Sequence, residues 1–182
     1  MPFAPSEFLS QMQGDGARPN LFEVSLPFPA IISPGTAERK ITFMARAAQL
    51  PASSLGVVSL QYYGREIKLA GNRTFADWTL TIINDEDFAV RKGLEKWMNG
   101  MNSHSRNRRN SSFASATSYA VDAEVKQYGK TGGVIKSYKF IDAFPTDLSA
   151  IDLDWGTNDT VEEYTATFQF QWWEDVDNRI GF

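Results

Sequence analysis

Apolar and polar residues alternate with period two at several places along this chain, the pattern of half-buried strands. Phe22, Val24, Leu26 and Phe28 share one face. Ile41, Phe43, Ala45 and Ala47 share another, with Lys40, Thr42 and Arg46 opposite. After a glycine-led basic turn at Gly71–Arg73, Trp78, Leu80 and Ile82 alternate with Asp77, Thr79 and Thr81. The longest alternation sets Tyr164, Ala166, Phe168, Phe170 and Trp172 against Thr165, Thr167, Gln169 and Gln171. Residues 121–144 read as two strands joined by a Gly-rich turn near Gly129–Gly133.

One segment has the helical period. Val90, Leu94, Trp97, Met98 and Met101 fall at offsets 0, 4, 7, 8 and 11, which predicts an α-helix over about 85–101. Gly93 weakens that stripe without cancelling it. Asn84 or Asp85 stands where an N-cap belongs, and Glu86 and Asp87 fill the first turn, where the helix dipole favours negative charge. Capping therefore explains the acids of "NDED" without chemistry. Two stretches lack any period: the Pro-rich 27–39 and the small, basic 102–118, both expected as long loops. These elements predict a mainly β (α+β) chain of many strands, one substantial helix and two long loops. No repeat or linker divides the chain, so one domain is expected over 1–182. It carries an N-terminal arm at about 1–17 and a short C-terminal extension at about 175–182.

Composition narrows the function. At 182 residues, 42% hydrophobic and 22% charged, the chain has material for a real core. The 13% aromatic content suits a β-rich core or an extensive protein interface. With no cysteine, disulfides, thiolate metal sites and cysteine nucleophiles are excluded. A single histidine, His104, removes most zinc and triad chemistry. Neither a signal peptide nor a run of about 18 apolar residues is seen, so a cytosolic product is expected. Charge is divided unevenly. Residues 1–141 hold 17 Lys/Arg against 12 Asp/Glu, a net of +5, while 142–182 hold one Arg against 10 Asp/Glu, a net of −9. Such a polar molecule can set its acidic part against the basic part of a neighbour.

Chemical motifs weigh little. Gly129–Thr131, "GKT", lacks the earlier P-loop glycine, since that position is Glu124, and a strand follows it instead of a helix. "DLDWGTND", 152–159, spaces its acids as calcium loops do, but no Glu closes a twelve-residue loop, and an acidic turn is the plainer reading. Arg106, Arg108 and Arg109 supply phosphate-type contacts without base reading, and a pI near 5.1 suits a partner-facing loop better than general DNA binding. The uncharged face of Thr165, Thr167, Gln169 and Gln171 suits a subunit contact or a wetted inner surface.

Five segments together resemble one family: "ARPNLFEV" (17–24), "AAQLP" (47–51), "AGNRTFADWTLTIINDE" (70–86), "FPTDLSAIDLDW" (144–155) and "EEYTATFQFQWWE" (163–174). They are similar, in order, to the tail tube protein of contractile-tailed phages of the large myovirus type. The resemblance implies a β-sandwich or partial barrel of antiparallel strands with one flanking α-helix at about 85–101, and a non-enzymatic structural subunit without cofactor, catalytic residue or metal. It implies six-membered rings sharing a β-barrel and stacking into a hollow tube in the virion, assembled in the host cytoplasm. The implied partners are further copies of the chain, the tail sheath, tape-measure, baseplate and tail terminator proteins, and double-stranded DNA in passage. Two relatives stay open beside it, a tube-initiating baseplate protein and the tube subunit of a contractile injection system; a ligand-binding barrel or an enzyme is the reading from another class. On this footing Thr165, Thr167, Gln169 and Gln171 are expected to line the channel or a subunit contact. Arg106, Arg108, Arg109, Asp152, Asp154 and Asp159 are expected at ring-to-ring or tube-to-sheath contacts. An isolated chain is expected to stay monomeric until a nucleus orders its long loops.

Overall fold

The computed structural model describes residues 5–12, 14 and 16–176. Most of the C-terminal extension, residues 177–182, and residues 1–4, 13 and 15 of the arm lie outside the described residues.

Nine strands and four α-helices are described: α1 (Pro5–Gln11), β1 (Phe22–Ser25), α2 (Ala37–Met44), β2 (Ala45–Ala48), β3 (Ser53–Tyr62), β4 (Arg65–Phe75), β5 (Trp78–Ile83), α3 (Ala89–Met101), α4 (Ala116–Tyr119), β6 (Val121–Tyr128), β7 (Val134–Leu148), β8 (Glu163–Gln169) and β9 (Trp172–Asp175). Every pairing is antiparallel, in the order β1-β6-β7-β8-β5-β2, with β9 also on β7. β3 and β4 form a separate two-stranded ribbon. The 15-residue β7 joins the two layers. Its first part pairs with β6 and β9, and Phe144–Leu148 pairs with β8. Asp142, with φ of 55°, marks the crossing.

The core lies between these layers and α3. Trp78 of β5 stacks on Phe140 of β7 at 4.3 Å, and Phe168 of β8 lies 5.4 Å away. The α3 stripe behaves as its period predicts, for Val90, Leu94 and Trp97 are buried. Trp97 reaches its one polar partner by donating Nε1–H to the Tyr119 carbonyl at 2.8 Å.

Several local expectations need correction. Residues 37–44 form a helix, where the alternation at Ile41–Ala47 predicted a strand. Ala37 and Ile41 are buried and Met44 packs on the core, a helical spacing, while Phe43 is 74% exposed. Gly71 lies within β4, not in a turn. The strand expected over 164–172 stops at Gln169, because β7 exchanges β8 for β9 there; Gln171 N–H donates to the Ile141 carbonyl in the bend between them. The two long loops hold structure. A 3₁₀ turn at Ala30–Ile32 and the start of α2 occupy 27–39; a 3₁₀ turn at Ser111–Phe113 and α4 occupy 102–118.

The acids of 85–87 also act differently from expectation. α3 begins at Ala89, four residues after Asp85, and Phe88 holds the N-cap position with φ of 54°. Asp87 Oδ1 accepts from Ala89 N–H at 2.9 Å, and Asp85 Oδ1 from Glu86 N–H at 2.9 Å. The other carboxylate oxygens of both meet the Lys40 ammonium of α2. The cluster is thus a clasp between two helices. Lys40, then the Ala89 N–H, hold the Asp87 carboxyl below the usual carboxylate range, and the two acids raise Lys40. A depressed carboxylate contributes stability above its unfolded-state pKa and loses it as pH falls through the folded value. Lys40→Met therefore lowers stability near neutral pH, and its deficit fades once Asp87 protonates, below about pH 4. Urea melts of both chains across that range test this; a deficit equally large in strong acid refutes the clasp.

Candidate assembly surfaces

The β3–β4 ribbon has an apolar face with nothing against it among the described residues. Tyr63 and Gly64 make the two-residue turn, both with positive φ (46° and 76°), the geometry that matches strand twist in a tight hairpin. Register puts Val58 opposite Leu69, Leu60 opposite Ile67 and Tyr62 opposite Arg65. Paired residues share a face, so Val58, Leu60, Tyr62, Ile67 and Leu69 form one apolar surface. Ser59, Gln61, Glu66 and Lys68 stand on the other side. That is the pattern of a half-buried sheet, yet every residue of β3 is exposed. The ribbon is moored at its base only. Phe75 packs near Phe170 and Trp173 at 6.0 and 6.3 Å, and Trp173 Nε1–H donates to the Ala52 carbonyl. A lone two-stranded ribbon is marginal in water, so this face awaits a partner. The ribbon is not among the expected strands, although the alternation of Val58, Leu60 and Tyr62 and the "YG" turn signal it in the sequence.

A second surface is neutral. On β8, Thr165 and Thr167 point away from the buried Tyr164, Ala166 and Phe168, and register sets them opposite Thr81 and Thr79 of β5. Four threonines therefore form a cross-strand ladder, half-buried throughout. Gln169 continues it and donates from Nε2 to Asp77 Oδ1. Gln171 does not belong, since it lies in the bend after β8.

The two charged groups occupy separate places. Arg106, Arg108 and Arg109 line a cleft of about 640 Å³ with Lys96, over Ile31, Ile32 and Phe113. Phe113 is buried and anchors the segment, and the Arg109 guanidinium lies 5.2 Å from the Tyr119 ring centre. A Cβ on Gly100 would stand 2.5 Å from Phe113 Cε2, so only glycine admits that ring. Gly100→Ala costs about 1–3 kcal/mol by overpacking. Proteolysis within 102–112 then speeds up in step with the loss in a urea melt; an unchanged cleavage rate denies the anchoring role.

Asp152, Asp154 and Asp159 belong to the β7–β8 connection. Asp152 and Asp154 line a cleft of about 610 Å³ in it, and Asp159 lies beside that lining. Asp154 shapes the tip by accepting from Gly156 N–H at 2.9 Å, as expected of an acidic turn. Among the described residues, no group of three or more His, Cys, Asp or Glu is placed to hold a metal ion.

An antiparallel fold carrying a bare apolar ribbon, a neutral sheet face and two opposed charged surfaces defines an assembly subunit. The phage tail tube protein family matches residues 17–175, and the chain belongs to that family. Tail tube protein gp19 of Enterobacteria phage T4 is 29% identical over 163 residues, spanning 88% of this chain and 93% of the relative. The tail tube protein of Serratia phage KSP90 is 23% identical over 167 residues, spanning 91% and 93%. Among solved structures, a chain in the structure of the sheath/tube terminator of an extracellular contractile injection system matches with a TM-score of 0.60 at 16% identity, spanning 88% of this chain and 96% of that one. The sheath–tube complex of such a system gives 0.53 at 16% identity, spanning 96% and 100%. At those identities the structures show a shared fold. The chain is a structural subunit of a phage tail tube and belongs to the virion tail.

Proposed function

We propose that copies of this chain close into six-membered rings that stack into a hollow tube inside a contractile sheath and conduct double-stranded DNA. The apolar β3–β4 face carries this reading. It is patterned for burial and has no partner among the described residues, and a second copy of the same protein supplies one without leaving open sheet edges. The work is assembly, without enzymatic chemistry. Residues 17–175 act as the tube domain, with the arm and the C-terminal extension as additions to it.

The neutral ladder of Thr79, Thr81, Thr165, Thr167 and Gln169 is the channel lining in this scheme. Uncharged hydroxyls and amides wet the surface without gripping phosphates, which bind through Lys and Arg. Sheath, tape-measure, baseplate and terminator proteins are the remaining partners. Subunits wait in the host cytoplasm until a baseplate nucleates them.

Negative-stain electron microscopy with and without a baseplate or ring seed tests this reading. Hollow tubes growing from the seed are expected. Single rings that refuse to stack favour the tube-initiating relative, and a chain that never assembles defeats the proposal. A map of the tube with Thr165, Thr167 and Gln169 turned away from the lumen removes the channel assignment alone.

A further inference from the structure

The basic cleft and the acidic β7–β8 connection sit at opposite ends of α3. Lys96, Asn99 and Gly100, from the last turns of that helix, contribute to the cleft. The acidic connection begins beside the first turn, where Arg91 donates Nη1–H to the Ser149 carbonyl at 3.2 Å. Thirteen residues at about 1.5 Å each separate the two ends by about 20 Å. Within the subunit the loop does not enter the cleft, since Trp155 is fully exposed and no residue of 150–162 lines it.

Each surface lacks what the other has. Among the described residues, Lys96, Arg106 and Arg108 make no ion pair, and the cleft lining contains no carboxylate. Its floor is apolar, with Ile31, Ile32 and the buried Phe113. The acidic connection presents Asp152, Asp154 and Asp159 around two bare apolar side chains, Trp155 at 100% exposure and Leu153 at 81%. Its tip is already shaped, since Thr157 N–H donates to the Asp154 carbonyl at 3.2 Å and Gly156 N–H to the Asp154 carboxylate. A shaped loop loses less freedom on docking. A fully exposed tryptophan flanked by acids is the anchor that a basic cleft with an apolar floor accommodates.

We infer that the acidic connection of one copy docks into the basic cleft of the next, with Trp155 over Ile31 and Phe113 and Asp152 and Asp154 facing Lys96, Arg106 and Arg108. The contact rests on the tube-subunit reading for its supply of neighbours and adds the pair of surfaces that join. Because they lie at opposite ends of one helix, the join is head-to-tail and repeats without using itself up. It also gives the uneven charge of the sequence a role, since attraction between unlike ends fixes direction and register.

Two variants test it. One carries Arg106→Glu, Arg108→Glu and Arg109→Glu, the other Asp152→Lys, Asp154→Lys and Asp159→Lys. Circular dichroism first establishes that each is folded. Alone, each has like charges at the join, and seeded tube growth falls by about tenfold or more. In a 1:1 mixture every acidic loop finds a basic cleft, and every reversed loop a reversed cleft, so growth returns. Reversed chains that grow alone overturn the inference, as does a mixture that stays inert. A second arm does not depend on tubes. The chain has no cysteine, so Leu153→Cys and Ser111→Cys chains are mixed under oxidising conditions at high concentration. A disulfide between the two variants, in excess over either homodimer, supports the contact even where no tube forms; its absence overturns it. Cysteine variants that cross-link while the wild-type chain forms no tube count against the tube reading alone.

Discussion

A chain carrying Val58→Asp and Leu60→Asp remains folded and forms no tubes. Both positions are about half exposed in the isolated subunit, at 52% and 53%. Placing carboxylates there removes little that the monomer buries, so its stability changes by no more than about 1 kcal/mol. Assembly is another matter. The same face, with Tyr62, Ile67 and Leu69, is the largest apolar surface left without a partner on the ribbon. Once a neighbour covers it, each carboxylate must be stripped of water with no cation opposite, at a cost of several kcal/mol per group. That cost recurs at every subunit added, so growth stops at the first contact. Ser59→Asp is the control: it stands on the polar face opposite Lys68, where a carboxylate is welcome, and tubes grow normally. Seeded assembly scored by electron microscopy, beside urea melts of the monomers, measures both. Tubes of normal length from the double variant show that this face meets solvent in the assembly.

The sequence carried the face-by-face logic of the strands well and the identity of their partners poorly. Alternation located β5 and β8, and the 3.6-residue stripe located α3, because long periodic segments express burial against the chain's own core. The ribbon alternates just as regularly at Val58, Leu60, Tyr62, Ile67 and Leu69. Periodicity says that a face is to be buried; it does not say by which molecule. The eight-residue α2 was misread because Ile41, Phe43 and Ala45 satisfy period two by chance, while the deciding pair, Ala37 and Ile41, straddles a segment already assigned to a loop. Lys40 clasps acids 45 and 47 positions away, so the cap inferred for Asp85 looked local when its partner was not. Phe113 sits in the aperiodic 102–118, where no pattern marks it for burial, and the bare backbone of Gly100 gives its ring room. Of the named candidates, Thr165, Thr167 and Gln169 share a face as predicted, and Gln171 leaves it because β7 changes partners at that point.

Trp78→Ala unfolds most of the population under conditions where wild type is fully folded. Trp78 is 2% exposed and joins three strands: its own β5, β7 through the stack on Phe140, and β8 through Phe168. Its indole N–H also donates to the Gln49 carbonyl at 3.1 Å, which fixes the chain just after β2. Truncation leaves a cavity where the two layers meet, among neighbours that cannot collapse without breaking sheet register, and such changes cost about 3–5 kcal/mol. Against a total stability of about 5–15 kcal/mol, that is a large share. Trp78→Phe keeps a ring on Phe140 but gives up the hydrogen bond and part of the volume, so it falls between wild type and Ala. Trp155→Ala supplies the contrast. Its side chain is 100% exposed, and its loss shifts a urea midpoint hardly at all. Two tryptophans in one chain are thus placed differently, Trp78 inside the core and Trp155 in solvent, where the inferred contact would cover it. Melts of the three single variants separate them, and a Trp78→Ala midpoint within experimental error of Trp155→Ala refutes the stacked core as the source of stability.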